Sequence, residues 1–176
     1  MSFTHYLYLS YEDELLKKLR IFHKKLAAPP FNYKIWRNET NLIKNNQHSL
    51  VDQTCDAIKL SKIFLCFLTN RYTQSVDHKS ELNYARTINK IIIILKIENL
   101  VIDQVDGSIG MILANSVCID CFKYPGEWHD PGLWKDDDPY SGYEIAIQIK
   151  HNIQVIKIKI SNFTSRGIYY LKNIKN

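Results

Sequence analysis

Ile63-Phe64-Leu65-Cys66-Phe67-Leu68 is an unbroken apolar run of strand length, and its lack of polar alternation decides the fold. A strand with one wet face alternates apolar and polar residues. A run without alternation belongs to a strand covered on both faces, as in a parallel sheet flanked by helices. Ile91 to Leu95 is a second such run and predicts another fully buried strand. The stretch between them, from Ser75 to Asn89, reads as a helix.

Upstream, His5 to Ser10 alternates around Tyr6, Tyr8 and Leu7, Leu9, which predicts a short first strand. Asp13 stands where a helix N-cap belongs, and Leu15, Leu19, Phe22 and Leu26 recur at helical spacing to form one apolar face. Pro29-Pro30 ends that helix, because proline cannot continue its hydrogen-bond ladder. Tyr33 to Trp36 makes a second strand. Arg37 to Asn46 is a polar connection rich in Asn, a residue that tolerates left-handed turns, and Val51, Cys55 and Ile58 mark the buried face of the next helix. Downstream, Val117 to Cys121 is a candidate fifth strand. Tyr140 to Asn152 is a closing helix, separated from it by the turn-rich stretch Tyr124 to Gly142.

Strands alternating with helices predict a doubly wound α/β layer. Ligands of such sheets bind beyond the carboxyl ends of the strands, where Ser10, Arg37, Thr69 and Lys96 are expected to emerge. After Asn152, Ile156, Ile158 and Ile160 alternate with Lys157 and Lys159, a pattern that suits an edge strand or a linker. The division expected is one domain over residues 1–152 and a basic extension over 153–176.

Composition narrows the function. The chain has 176 residues, 45% of them hydrophobic, which fits one domain with a real core. Its formal charge of +5 is uneven: Lys150, Lys157, Lys159, Arg166, Lys172 and Lys175 supply six positive charges after Gln148, where no acidic residue occurs. Removing those six from the 23 basic residues leaves 17 against 18 acidic ones, or net −1, so no nucleic-acid-binding body is expected. The apolar runs fall far below the roughly 18 consecutive residues of a membrane span, and Met1 to Tyr8 carries no leader pattern. A cytoplasmic protein without a membrane span is expected. Cys55, Cys66, Cys118 and Cys121 fall on predicted regular elements and fit reduced thiols. The sequons Asn38-Glu39-Thr40 and Asn162-Phe163-Thr164 are then never glycosylated.

Several chemistries lack their residues. The six glycines are Gly107, Gly110, Gly126, Gly132, Gly142 and Gly167, so the first four strand-to-helix units hold none. Both the dinucleotide fingerprint and the phosphate-cradling P-loop need glycine at that turn. Cys118-Ile119-Asp120-Cys121 is a lone C-x-x-C whose thiols would point to opposite faces of a strand, and Asp136-Asp137-Asp138 lacks the spaced oxygen ligands of a calcium loop. No metal site is expected. Trp128 and Trp134 read as loop packing, and no Ser, His and Asp set stands at a nucleophile elbow. The remaining candidate is a carboxylate, Glu81.

Four stretches in order resemble the boxes of a TIR (Toll/interleukin-1 receptor) domain. They are Tyr6-Leu7-Tyr8-Leu9-Ser10-Tyr11-Glu12-Asp13; Tyr33-Lys34-Ile35-Trp36-Arg37-Asn38; Ala57 to Leu65 followed by Thr69-Asn70-Arg71-Tyr72 and Ser75 to Glu81; and Asn89 to Leu95. Together they span about Tyr6 to Asn152. Asn38 stands where the family usually has Asp, Asp77 and His78 replace its common Trp-Cys pair, and Arg37 to Asn46 lacks the Gly and Pro of its assembly loop. The resemblance implies a flavodoxin-like, mainly parallel five-stranded sheet with helices on both faces. It also implies signal transduction in innate immunity or cell death.

In enzymatic members of that family, the glutamate of the signature helix cleaves the nicotinamide–ribose bond of NAD+. Carried over by position, Glu81 is the catalytic residue of an NAD+ glycohydrolase or cyclase, with NAD+ as substrate and no cofactor. Ser10, Tyr11 and Glu12 would line the cleft, Asn38 and Asn41 would lie on the loop beside it, and Ser75 and His78 would share the helical neighbourhood of Glu81. Implied partners are further copies of the chain and other TIR domains. The competing reading is a non-enzymatic interaction module, a signalling adaptor that acts by TIR–TIR association. A nucleoside deoxyribosyltransferase-like enzyme shares the fold style and the glutamate chemistry.

Overall fold

The computed structural model describes residues 5–36, 49–100, 105, 107–123, 142 and 144–156. Five strands form one parallel sheet in the order β2-β1-β3-β4-β5: β1 His5–Ser10, β2 Ile35–Trp36, β3 Ser61–Leu68, β4 Ile91–Lys96 and β5 Val117–Asp120. The central run behaves as its composition requires. From Ile63 to Leu68 every residue is buried, and Lys62 alone in β3 is exposed.

Strand side chains alternate between two cores, one on each face. On one side Leu7, Leu9, Ile35, Leu65, Phe67, Ile93, Leu95 and Ile119 pack under α1 (Leu16–Ala27) and α6 (residues 144–156). Those helices contribute Leu19, Phe22 and Leu26, and Ile145, Ala146, Ile149 and Ile153. On the other side Tyr8, Trp36, Phe64, Cys66, Leu68, Ile92 and Ile94 pack under α2 (Leu50–Leu60), α3 (Asn70–Gln74), α4 (Val76–Thr87) and α5 (Gly107–Asn115). Tyr8 is fully buried because its ring stacks between Trp36 at 5.0 Å and Phe64 at 5.2 Å.

The expected α/β architecture is therefore present, and the differences from the sequence reading are local. Asp13 does not cap α1: it opens a single 3-10 turn, Asp13–Leu15, whose flanking Glu12 makes no side-chain cap bond. Leu15, Leu19, Phe22 and Leu26 are buried as expected, and α1 ends at Ala27 just before the proline pair. The second strand is shorter than Tyr33 to Trp36. Val51 is 70% exposed rather than buried, because α2 faces the core through Ala57 and Ile58 near its other end.

The helix expected over Ser75 to Asn89 is present as α4, and a short helix that was not expected, α3, precedes it. Ser75 closes α3 and opens α4, and Asn89, in the left-handed region at φ 55°, follows the last turn. Helix α5 has no counterpart in the sequence reading. Its Ile109, Ile112 and Leu113 are buried, but two glycines in nine residues blur a helical signature. The closing helix runs on to residue 156, placing Ile153 in the core and Ile156 against it, where a strand or linker was expected. Residues 157–176, Arg37 to Asn46, and the sites read at Trp128, Trp134 and Asp136 to Asp138 lie outside the described residues.

Candidate functional site

The strand order reverses direction between β1 and β3, and crevices open beyond the carboxyl ends of strands at such a switch point. Ser10 is the last residue of β1 and pairs in register with Cys66 of β3, both on the face that carries α3 and α4. Just beyond β3, Thr69 is buried and caps α3 by accepting a hydrogen bond from the Tyr72 N–H at 3.1 Å. That cap turns the fully buried Tyr72 ring under the helix toward Ser10.

Five of the expected site residues meet here. Ser10 Oγ donates to Glu81 Oε2 at 2.7 Å and lies 2.8 Å from the Tyr72 hydroxyl. Glu81 sits one turn beyond His78 on α4 and is half-buried. Ser75 Oγ caps α4 by accepting from the His78 N–H and also lies 2.8 Å from His78 Nδ1. Glu12 Oε1 approaches the same nitrogen at 3.0 Å but without the alignment of a hydrogen bond, and it is enclosed with no hydrogen-bond partner. One ring nitrogen points in one direction, so it serves Ser75 or Glu12 and not both. A nucleophile triad needs its acid and its hydroxyl on opposite imidazole nitrogens, so Ser75, His78 and Glu12 do not form one.

Tyr11 is placed elsewhere. It is buried in the opposite core with Leu9, Leu15 and Phe67, as the alternation after Ser10 dictates. Asn38 and Asn41 lie outside the described residues. The sequence reading did not single out Tyr72, although an aromatic three residues after a capping Thr at a strand end was there to be read.

Lys96 emerges at this rim as expected, yet its ammonium is committed to Asp120 at 2.9 Å, with Lys123 on the other carboxylate oxygen. Lys123 and then Lys96 hold the Asp120 carboxyl below its ordinary 3.8. A depressed carboxyl adds stability above its unfolded value and loses it as pH falls through the folded one. Asp120→Asn is therefore expected to lower stability at pH 7 by under about 1 kcal/mol, a difference that shrinks as pH falls below the ordinary carboxylate range. Thermal melts of both proteins across that range measure it.

Two cavities lie away from Glu81. One of about 360 Å³ is lined by Arg86, Lys90, Ile91, Asn115 and Val117, and one of about 250 Å³ by Cys118, Asp120, Lys123, Gln148 and Asn152. Cys55, Cys66, Cys118 and Cys121 are not joined in disulfides. Among the described residues no cluster of three or more His, Cys, Asp or Glu is placed to hold a metal, and no helix is long and apolar enough to cross a membrane.

The architecture has solved counterparts. The TIR domain of the Toll-related receptor TRR-2 from Hydra magnipapillata superposes with a TM-score of 0.53 at 14% identity, covering 65% of this chain and 84% of that one. This is the TIR fold. The TIR domains of the activated Roq1 resistosome, which directly recognises the pathogen effector XopQ, match with a TM-score of 0.51 at 16% identity over 85% of this chain and 99% of theirs. No family model matches the sequence, and no curated protein matches it. The TIR fold is thus carried here by the pattern of buried strands and helices rather than by a closely related sequence.

Proposed function

We propose that this TIR-fold domain is an NAD+ glycohydrolase acting in innate-immune or cell-death signalling, with Glu81 as its catalytic carboxylate. The observation that carries the reading is the position of Glu81: half-buried at the β1/β3 switch point, and held by the Ser10 hydroxyl at 2.7 Å. In the reaction the bond between ribose C1′ and the nicotinamide nitrogen breaks, and its electron pair leaves with nicotinamide. Nicotinamide is cationic in NAD+ and departs neutral, so the second carboxyl group that glycosidases use to protonate a poor leaving group is not required. Glu81 stabilises the positive charge that develops on the ribose, and it does so most effectively where water is sparse. Water then adds to C1′ and loses a proton to give ADP-ribose; attack from within the molecule gives a cyclic product instead.

One observation favours the adaptor reading. Leu50 and Val51 at the start of α2, and Val76 at the start of α4, are 54%, 70% and 73% exposed, and both helices begin at the rim that carries the carboxyl ends of the strands. Exposed apolar residues there suit contact with another domain. The two readings separate when purified protein, both dilute and concentrated on a surface, is incubated with NAD+ and nicotinamide is measured. Release that rises with clustering is the expected result. Absence of release in both conditions removes the enzyme reading and leaves the adaptor.

A further inference from the structure

Three contacts run through the corner that holds Glu81: Ser10 Oγ to Glu81 Oε2 at 2.7 Å, Ser10 Oγ to the Tyr72 hydroxyl at 2.8 Å, and the Tyr72 hydroxyl to the His78 carbonyl oxygen at 3.2 Å. Only two hydroxyl protons are available to fill them. With Glu81 ionised, the Ser10 proton goes to the carboxylate, and the Tyr72 proton has to choose among Ser10, the His78 carbonyl and the Cys66 sulfur, which the hydroxyl also meets. Two oxygens 2.8 Å apart with no proton between them would set lone pair against lone pair. The 3.2 Å contact lies outside the usual 2.5–3.0 Å range for O–H···O bonds, whereas 2.7 Å is the length expected of a hydroxyl donating to a carboxylate. The carbonyl of His78 sits inside α4 and does not depend on this donor.

We infer that Tyr72 is a positioning residue for Glu81: its hydroxyl donates to Ser10 Oγ, which fixes the serine proton on the carboxylate and holds Glu81 ionised and oriented. The inference rests on the reading of Glu81 as the catalytic carboxylate. A donor feeding Ser10 polarises the O–H that Ser10 presents, so the two bonds strengthen each other. The opposite arrangement is a protonated Glu81 donating to Ser10, with Ser10 donating to Tyr72 and Tyr72 to the His78 carbonyl. That arrangement would serve the acid form, and the two differ in sign when the tyrosine hydroxyl is removed. The titratable groups gathered at this corner among the described residues are Glu12 beyond β1, Cys66 on β3, Tyr72 on α3 and His78 on α4. Burial pushes the Cys66 thiol and the Tyr72 phenol up, so both stay neutral while Glu81 titrates.

The test is a carboxyl-carbon NMR titration of Glu81, which needs no turnover, in the wild type, Tyr72→Phe, Ser10→Ala and the double variant. Tyr72→Phe keeps the ring packed beside His78 at 5.1 Å and removes only the hydroxyl. Loss of a donor to the charged form raises a carboxyl midpoint. Expected shifts are upward by about half a unit for Tyr72→Phe and about one unit for Ser10→Ala, with the double variant no higher than Ser10→Ala. In parallel, Tyr72→Phe should lower kcat for nicotinamide release with KM unchanged, since a less firmly oriented carboxylate loses contact with a charge that develops only in the transition state. A downward shift in Tyr72→Phe, or additive shifts in the double variant, overturns the inference. So does an unmoved midpoint in Ser10→Ala, which decides the matter even where Tyr72→Phe fails to fold. Shifts as stated in a protein that releases no nicotinamide uphold the positioning of Glu81 while removing the NAD+ reading.

Discussion

Glu81→Gln is expected to release nicotinamide from NAD+ about 10²- to 10³-fold more slowly than the wild type, the usual loss when one preorganised electrostatic contact to a developing charge is removed. The amide has the shape of the carboxylate and keeps an oxygen for the Ser10 hydroxyl, so the 2.7 Å bond has a partner in both proteins. What disappears is the negative charge, and the ribose carries its positive charge only as the nicotinamide leaves. The loss should therefore fall on kcat, with KM little changed, because the contact is stronger in the transition state than in the ground state. Chromatographic assay of nicotinamide at several NAD+ concentrations, with melts to confirm folding, reads this directly. Equal rates for the two proteins would remove Glu81 from the chemistry.

The fold was legible where burial is total and obscure where it is partial. Ile63 to Leu68 and Ile91 to Leu95 have no polar residue to place, and both are buried strands of a parallel sheet. The alternation of Leu7 and Leu9 with Tyr8 and Ser10 distributes those side chains to the two faces, which is how Ser10 reaches Glu81 and Tyr11 does not. Ends of elements were less legible because caps compete. Asp13 has the right chemistry for a helix start, but Thr69, Ser49 and Ser75 are the residues that cap, each accepting from the N–H three residues on. Of the candidate site, Ser10, Glu12, Ser75, His78 and Glu81 were found by position along the chain and are gathered in space. Tyr72 was overlooked because a buried tyrosine reads as core until its hydroxyl partners are known.

Phe67→Ala is expected to lower stability by about 3–5 kcal/mol, the cost of deleting a ring from a packed core and leaving a cavity. Phe67 is fully buried near the carboxyl end of β3, the central strand, and meets Phe22 of α1 edge-on, with centroids 6.0 Å apart and planes at 86°. Its removal strips one of the contacts by which α1 packs on the sheet. Domains of this size are stable by roughly 5–15 kcal/mol, so the loss is a large share of the whole and should lower Tm by about 10 °C or more. Val51→Ala, at a site 70% exposed, should stay within about 0.5 kcal/mol. Denaturant midpoints of the three proteins measure the contrast, and a loss below about 1 kcal/mol in Phe67→Ala would contradict the packing of α1 on β3. The same variant separates stability from function. Phe67 points to the face opposite Ser10, Cys66 and Tyr72, so the corner around Glu81 is left intact. Below its own melting range Phe67→Ala should release nicotinamide at the wild-type rate, whereas Glu81→Gln, folded and stable, should not.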